Sequence, residues 1–195
     1  MVRQKAEAIF TDRGSKFIAY VYPVRSLSEI KPLVDQLKKE HPKANHHCWA
    51  VRLSPDRSVF KVNDDGEPSG TAGRPILNVM LSKDVTDALI VVVRYFGGKL
   101  LGVPGLINAY RTSAEMGLQA AGIEEKVISD IYRLTFDHVQ MNDVMKVIKA
   151  EQATIIRQEA DNRCTIEISV RRNKIEQTIG KLNGIYNLTA HLLQG

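Results

Sequence analysis

Apolar positions along this chain fall into two periods, and the period changes from one segment to the next. Leu27, Ile30, Val34 and Leu37 recur three and four residues apart, which predicts a helix with one buried stripe. Ser26 or Ser28 is placed to cap it; Pro32 requires the regular helix to begin close before it, and His41-Pro42 ends it. Lys16 to Val24 reads as the first strand, His46 to Leu53 as the second and Ser58 to Val62 as the third. Ile76, Leu77, Val79, Met80 and Leu81 predict a short helix with an apolar face. The unbroken run Ala88-Leu89-Ile90-Val91-Val92-Val93 predicts a strand buried on both faces. A long helix follows from near Pro104 to about Ala121, with Gly122 as its stop. Its stripe of Leu106, Tyr110, Ser113, Gly117 and Ala121 is suited to close packing, while Arg111 and Glu115 occupy another face.

Beyond this helix the pattern restarts. Tyr132, Leu134 and Phe136 alternate as a strand, and Val144, Met145 and Ile148 form a helix face behind an Asn142 cap. Thr154 to Ala160 and Cys164 to Val170 are two more strands. In the latter Cys164, Ile166, Ile168 and Val170 point one way and Thr165, Glu167, Ser169 and Arg171 the other. Ile175, Ile179 and Leu182 give a second helix stopped at Gly184, and Leu188 to Leu193 a last strand. The order is βαββαβ, the ferredoxin-like or split-βαβ arrangement. The expected class is therefore α+β, in two domains over 1–127 and 128–195, with the boundary between Glu124 and Ser129.

Composition narrows the picture only a little. A chain of 195 residues that is 44% hydrophobic and 25% charged has enough apolar side chains for a real core. Its longest apolar run is far too short to cross a bilayer and no signal-like segment follows Met1, so no membrane partner and a cytoplasmic location are expected. Cys48 and Cys164 lie far apart without CxxC spacing, which argues against a disulfide framework or a zinc module. The net charge of +5 favours an anionic partner. That excess belongs mostly to the first part, with 18 basic against 14 acidic residues up to Lys126 and 9 against 8 beyond.

The candidate chemistry sits in two glycine-rich stretches. The first, Asn63 to Pro75, packs three carboxylates, three glycines, two prolines and one arginine into thirteen residues, too irregular for a core element. Asp64, Asp65 and Glu67 are the candidates for a magnesium ion, but Asn-Asp-Asp-Gly is equally good turn chemistry, and no metal or cofactor is expected. Gly66 belongs to that turn, while Gly70 to Arg74, Gly73 among them, are read either as backbone amides cradling a phosphate under Arg74, or as a helix lead-in capped by Thr71. In the second stretch, Arg94, Tyr95, Gly97, Gly98 and Lys99 leave a buried strand and lead into a helix N-terminus, an arrangement that turns amides toward an anion. It matches neither a Walker A loop nor GxGxxG. His41, His46, His47 and Cys48 resemble a metal set on paper, yet adjacent strand residues point to opposite faces. Both glycine stretches are expected to face each other across one cleft.

Four segments together resemble the IMPACT/YigZ family in its bacterial-type two-domain form. They are Gly14-Ser15-Lys16-Phe17-Ile18-Ala19, Ala44-Asn45-His46-His47-Cys48-Trp49-Ala50, the acidic glycine motif, and Val92-Val93-Arg94-Tyr95-Phe96-Gly97-Gly98-Lys99 through Ala109-Tyr110. The resemblance implies a first domain with the ribosomal protein S5 domain 2-like fold and a second resembling the last domain of elongation factor G, both of whose relatives work on ribosomal RNA. It also implies a tie to translation, since the family's eukaryotic members are translation regulators. Their RWD domain is not expected in this chain, so their partner binding is not carried over. Pro104 stands where the resemblance leads one to expect glycine, which removes one anion-binding amide, and Asn108 where it leads one to expect a basic residue, whose charge Arg111, one turn on, replaces only in part.

The leading expectation is a non-enzymatic protein that binds nucleic acid or the ribosome and regulates translation, with RNA, the ribosome or a protein of the translation machinery as partner. Arg74, Arg94, Tyr95, Lys99 and Arg111 are expected to contact RNA. Arg133, Thr135, Thr165, Glu167 and Arg171 supply a polar docking face on the second sheet. The alternatives are a magnesium-assisted enzyme acting on a phosphorylated small molecule or nucleotide, and a protein adaptor whose motif is purely structural.

Overall fold

A computed structural model describes residues 1–53, 58–125 and 127–194. The chain divides into two compact units, Met1–Lys126 and Val127–Gly195. In the first, five strands form one antiparallel sheet: β1 (Ala6–Asp12), β2 (Ser15–Pro23), β3 (His46–Leu53), β4 (Val59–Asn63) and β5 (Ala88–Tyr95), in the order β1-β2-β5-β3-β4. The apolar run predicted to be covered on both sides is the central strand β5. Ile90 and Val92 enter one core with helices α2 (Gly73–Ser82) and α3 (Gly102–Ala121), while Leu89, Val91 and Val93 enter another with α1 (Ile30–Glu40). One further residue carries this alternation to the site, because it sends Arg94 to the α2–α3 side and Tyr95 to the α1 side.

The hydrophobic pattern misses β1. Two of its inward residues, Ala6 and Ala8, are small beside Phe10, and its largest aliphatic side chain, Ile9, points outward from an edge strand. The β1–β2 connection is a two-residue turn with both Arg13 and Gly14 at positive φ, the geometry that matches the twist of a hairpin. Ser26 and Glu29 form a reciprocal capping box ahead of α1, as the Ser26 expectation requires. Three other capping expectations are corrected. Thr71 does not cap α2, because its hydroxyl donates to Pro68 O and the N-cap position falls to Ala72. Helix α3 begins at Gly102, ahead of Pro104. Asn142 lies inside α4 (Met141–Glu151), because the chain first makes a 3-10 turn over His138–Gln140.

In the second unit, β6 (Ser129–Phe136), α4, β7 (Thr154–Ala160), β8 (Cys164–Arg171), α5 (Ile175–Asn183) and β9 (Thr189–Gln194) follow in the βαββαβ order. The antiparallel sheet runs β7-β8-β6-β9. Leu134, Phe136, Cys164, Ile166, Ile168 and Val170 face the helices and form one core with Val144, Ile148 and Leu182. Arg133, Thr135, Thr165 and Glu167 line the other face, where Arg133 pairs with Glu167 at 2.8 Å across the β6–β8 register. A concavity of about 370 Å³ opens on that face, bounded as well by Arg157 and Glu159.

Candidate functional site

The three acids of the glycine motif do not converge; each serves a different part of the first unit. Asp64 reaches over the loop, accepting from the amides of Ala72 (3.1 Å) and Gly73 (2.8 Å) with one oxygen and from Gly70 (2.9 Å) with the other. It thereby caps α2 from outside the helix and fills, with a carboxylate of the protein itself, the amide cradle that sequence reasoning offers to a phosphate. Gly73 is needed there: a Cβ would sit 2.9 Å from the Asn63 nitrogen. Asp65, in the left-handed region beside Gly66, accepts from the His47 amide at 2.7 Å and pairs with Lys38 at 3.1 Å. Burial pushes its pKa up, but those two partners outweigh it and hold the carboxyl below its ordinary range. Among the described residues no three His, Cys, Asp or Glu side chains gather as a metal site.

Glu67 turns inward instead. Its Oε1 accepts from Arg94 Nη1 at 2.5 Å and from the Tyr110 hydroxyl at 2.8 Å, with His46 Nε2 3.8 Å away. Cys48 Sγ lies 3.0 Å from Asp64 O and 3.3 Å from the Tyr110 hydroxyl. Burial drives the Cys48 thiol and the Tyr110 phenol far above their ordinary values, so both stay protonated. Arg94 is only 5% exposed and lies against the rings of Phe17 and Phe96 at 5.4 and 5.6 Å. Its guanidinium is therefore the inner partner of an ion pair and not a surface clamp for RNA. Tyr95, on the opposite face, hydrogen-bonds His41 Nδ1 at 2.8 Å, and His41 Nε2 meets Tyr20 at 2.7 Å. Arg94 and Tyr95 thus cannot grip one phosphate together.

The second glycine stretch leaves β5 under tight constraint. The Phe96 amide donates to Asn45 Oδ1 at 2.8 Å, and the Gly97 amide donates to Ser15 Oγ at 3.2 Å. A Cβ on Gly97 would stand 1.9 Å from the carbonyl carbon of Gly14, so the two loops touch backbone to backbone. Gly98, Lys99 and Leu100 then swing into solvent. Between this loop, the first turn of α3 and the Glu67–Pro68 corner lies a cleft of about 460 Å³, and the two motifs do face each other across it. Arg94 and Glu67 are at its floor, with Asn45 and His46 on one wall. Arg74, Lys99 and Arg111 stand outside it, exposed, and Arg111 donates to Asn108 Oδ1 at 2.8 Å.

Sequence reasoning passes over Phe17, Asn45 and Tyr110 as site residues and weighs His46 and Cys48 only as metal ligands, yet all five complete this cluster. The signal for them is present, because all five stand inside the segments that carry the family resemblance.

A five-stranded unit with an ion pair buried under a ligand-sized cleft, followed by a βαββαβ unit, defines a two-unit α+β protein. A family model described as the Impact N-terminal domain matches residues 13–118. An IMPACT family member of Haemophilus influenzae is 33% identical over 88% of this chain and 85% of its own, and YvyE of Bacillus subtilis, an IMPACT family member, is 34% identical over 77% and 70%. The crystal structure of a hypothetical protein superposes with a TM-score of 0.66 at 26% identity, covering 100% of this chain and 96% of the other. The chain belongs to the IMPACT family.

Proposed function

We propose that the protein is a non-catalytic, cytoplasmic regulator of translation that associates with the ribosome by laying the basic end of its first unit on RNA phosphates. The observation that carries this reading is a group of exposed cations at one end of the sheet. Arg13 lies in the β1–β2 turn, Lys16 opposite Tyr95 in the β2–β5 register, Lys43 just ahead of β3, and Lys99 in the loop leaving β5. None of the four takes part in an ion pair among the described residues. Unpaired exposed cations release counterions when they meet phosphate, which is the main source of RNA affinity. Arg74 on α2 and Arg111 on α3 are further exposed cations of the first unit.

Family membership supports the link to translation through the family's eukaryotic regulators. On this reading the first unit is an S5 domain 2-like fold and the second a ferredoxin-like domain akin to the last domain of elongation factor G. The polar face around Arg133 and Glu167 is then available to a ribosomal or translation-factor protein. Pelleting with purified ribosomes tests the reading. Lys16→Glu combined with Lys99→Glu is expected to reduce the pelleted fraction at least tenfold with no change in thermal midpoint. Undiminished pelleting of this double variant overturns it.

A further inference from the structure

The interior of the cleft has chemistry that the basic rim does not explain. We propose that it is a binding site for a carboxylate carried on an apolar body, an inference that does not depend on ribosome association. Its volume of about 460 Å³ lies in the range of small-molecule sites, and its walls are mainly Pro68, Phe96, Leu100, Leu101, Val103 and Leu106. Leu100 is 84% exposed and Val103 52%, so the apolar lining continues out to the mouth. The floor is one partner short. Arg94 gives Nη1 to Glu67, but its Nε is buried and donates to nothing. Orphaned buried donors are rare and point to a missing acceptor.

A second feature independently calls for negative charge. Helix α3 is twenty residues long, has no side-chain cap and no acid in its first turn, and its first residues Gly102 and Val103 line the same cleft. The Nε edge of a guanidinium matches a planar carboxylate. Glu67 decides between anions. Its own buried charge lies against the same arginine, which tolerates one further monoanion far better than a dianionic phosphate. Phe96 is 44% exposed with its ring centre 5.6 Å from the Arg94 guanidinium, and on this proposal that ring turns aside to open Nε, a motion open to a half-exposed side chain.

Such a head group comes either from a free short-chain carboxylic acid or from the C-terminus of a peptide ending in an apolar residue. The test follows the Arg94 Nε–H and the Gly102 and Val103 amide resonances of the full chain by nuclear magnetic resonance. The titrants are octanoate, a leucine-terminated tripeptide as free acid and as amide, inorganic phosphate, and hexylamine. Saturable shifts with octanoate or the free-acid peptide, at least tenfold tighter than with phosphate, are expected; which of the two binds more tightly identifies the source. Val103→Glu, an exposed change that places a carboxylate at the helix end, is expected to weaken that binding at least tenfold without lowering the thermal midpoint. Arg94→Lys is expected to abolish it where the variant folds. No shift with either carboxylate, equal binding of phosphate, the peptide amide or hexylamine, or full binding by Val103→Glu overturns the proposal.

Discussion

Arg94 shows at the residue scale how burial decides what a charge is for. Its sequence position, at the end of a buried strand before a glycine loop, marks it as a candidate, and the structure places it at the floor of the cleft. Its role was not legible there, because Glu67 is 27 residues away in the chain and only the folded sheet brings the two together. Removing one member of a buried pair strands the other: Arg94→Ala or Glu67→Ala is expected to cost about 3–5 kcal/mol in urea denaturation. Replacing both, as Arg94→Met with Glu67→Leu, is expected to cost less than either single change. A surface arginine used only for RNA would give a single-variant loss near zero. His47 supplies a pH signature. Burial lowers its pKa below the ordinary 6.5, against the pull of Asp65, so it stays neutral in the fold. The unfolded chain then binds the extra proton first. Stability is full above pH 6.5 and falls as pH drops from there through the lowered folded value. His47→Gln is expected to flatten that part of the profile of thermal midpoint against pH.

Elements whose side chains alternate cleanly were readable from the chain alone. Strand β8 has Cys164, Ile166, Ile168 and Val170 buried just as their spacing requires, and β5 is covered on both faces. What escaped was non-local. Helix α2 is capped by Asp64, eight residues ahead of Ala72, while the nearby Thr71 bonds elsewhere. Asp64→Ala is accordingly expected to cost about 1–2 kcal/mol and to speed hydrogen exchange at Gly70, Ala72 and Gly73, whereas Thr71→Ala leaves those amides protected. If the two variants exchange alike, the remote cap is not what holds α2.

The whole molecule carries separate cores in its two units, with Phe136, Ile166 and Leu182 in one and Val92, Leu106 and Tyr110 in another. A segment with its own core folds alone, so residues 127–195 are expected to give a cooperative thermal transition and dispersed amide resonances when expressed by themselves. On the proposed reading the first unit divides its labour by depth: Arg94 and Glu67 shape the cleft, and Arg13, Lys16, Lys43 and Lys99 would meet the partner. The most direct test of that division is the dependence of structured-RNA affinity on salt for the wild type, Lys99→Glu and Lys16→Glu. Each charge reversal is predicted to reduce the slope of log affinity against log salt by about 1. Slopes equal to that of the wild type would contradict the account.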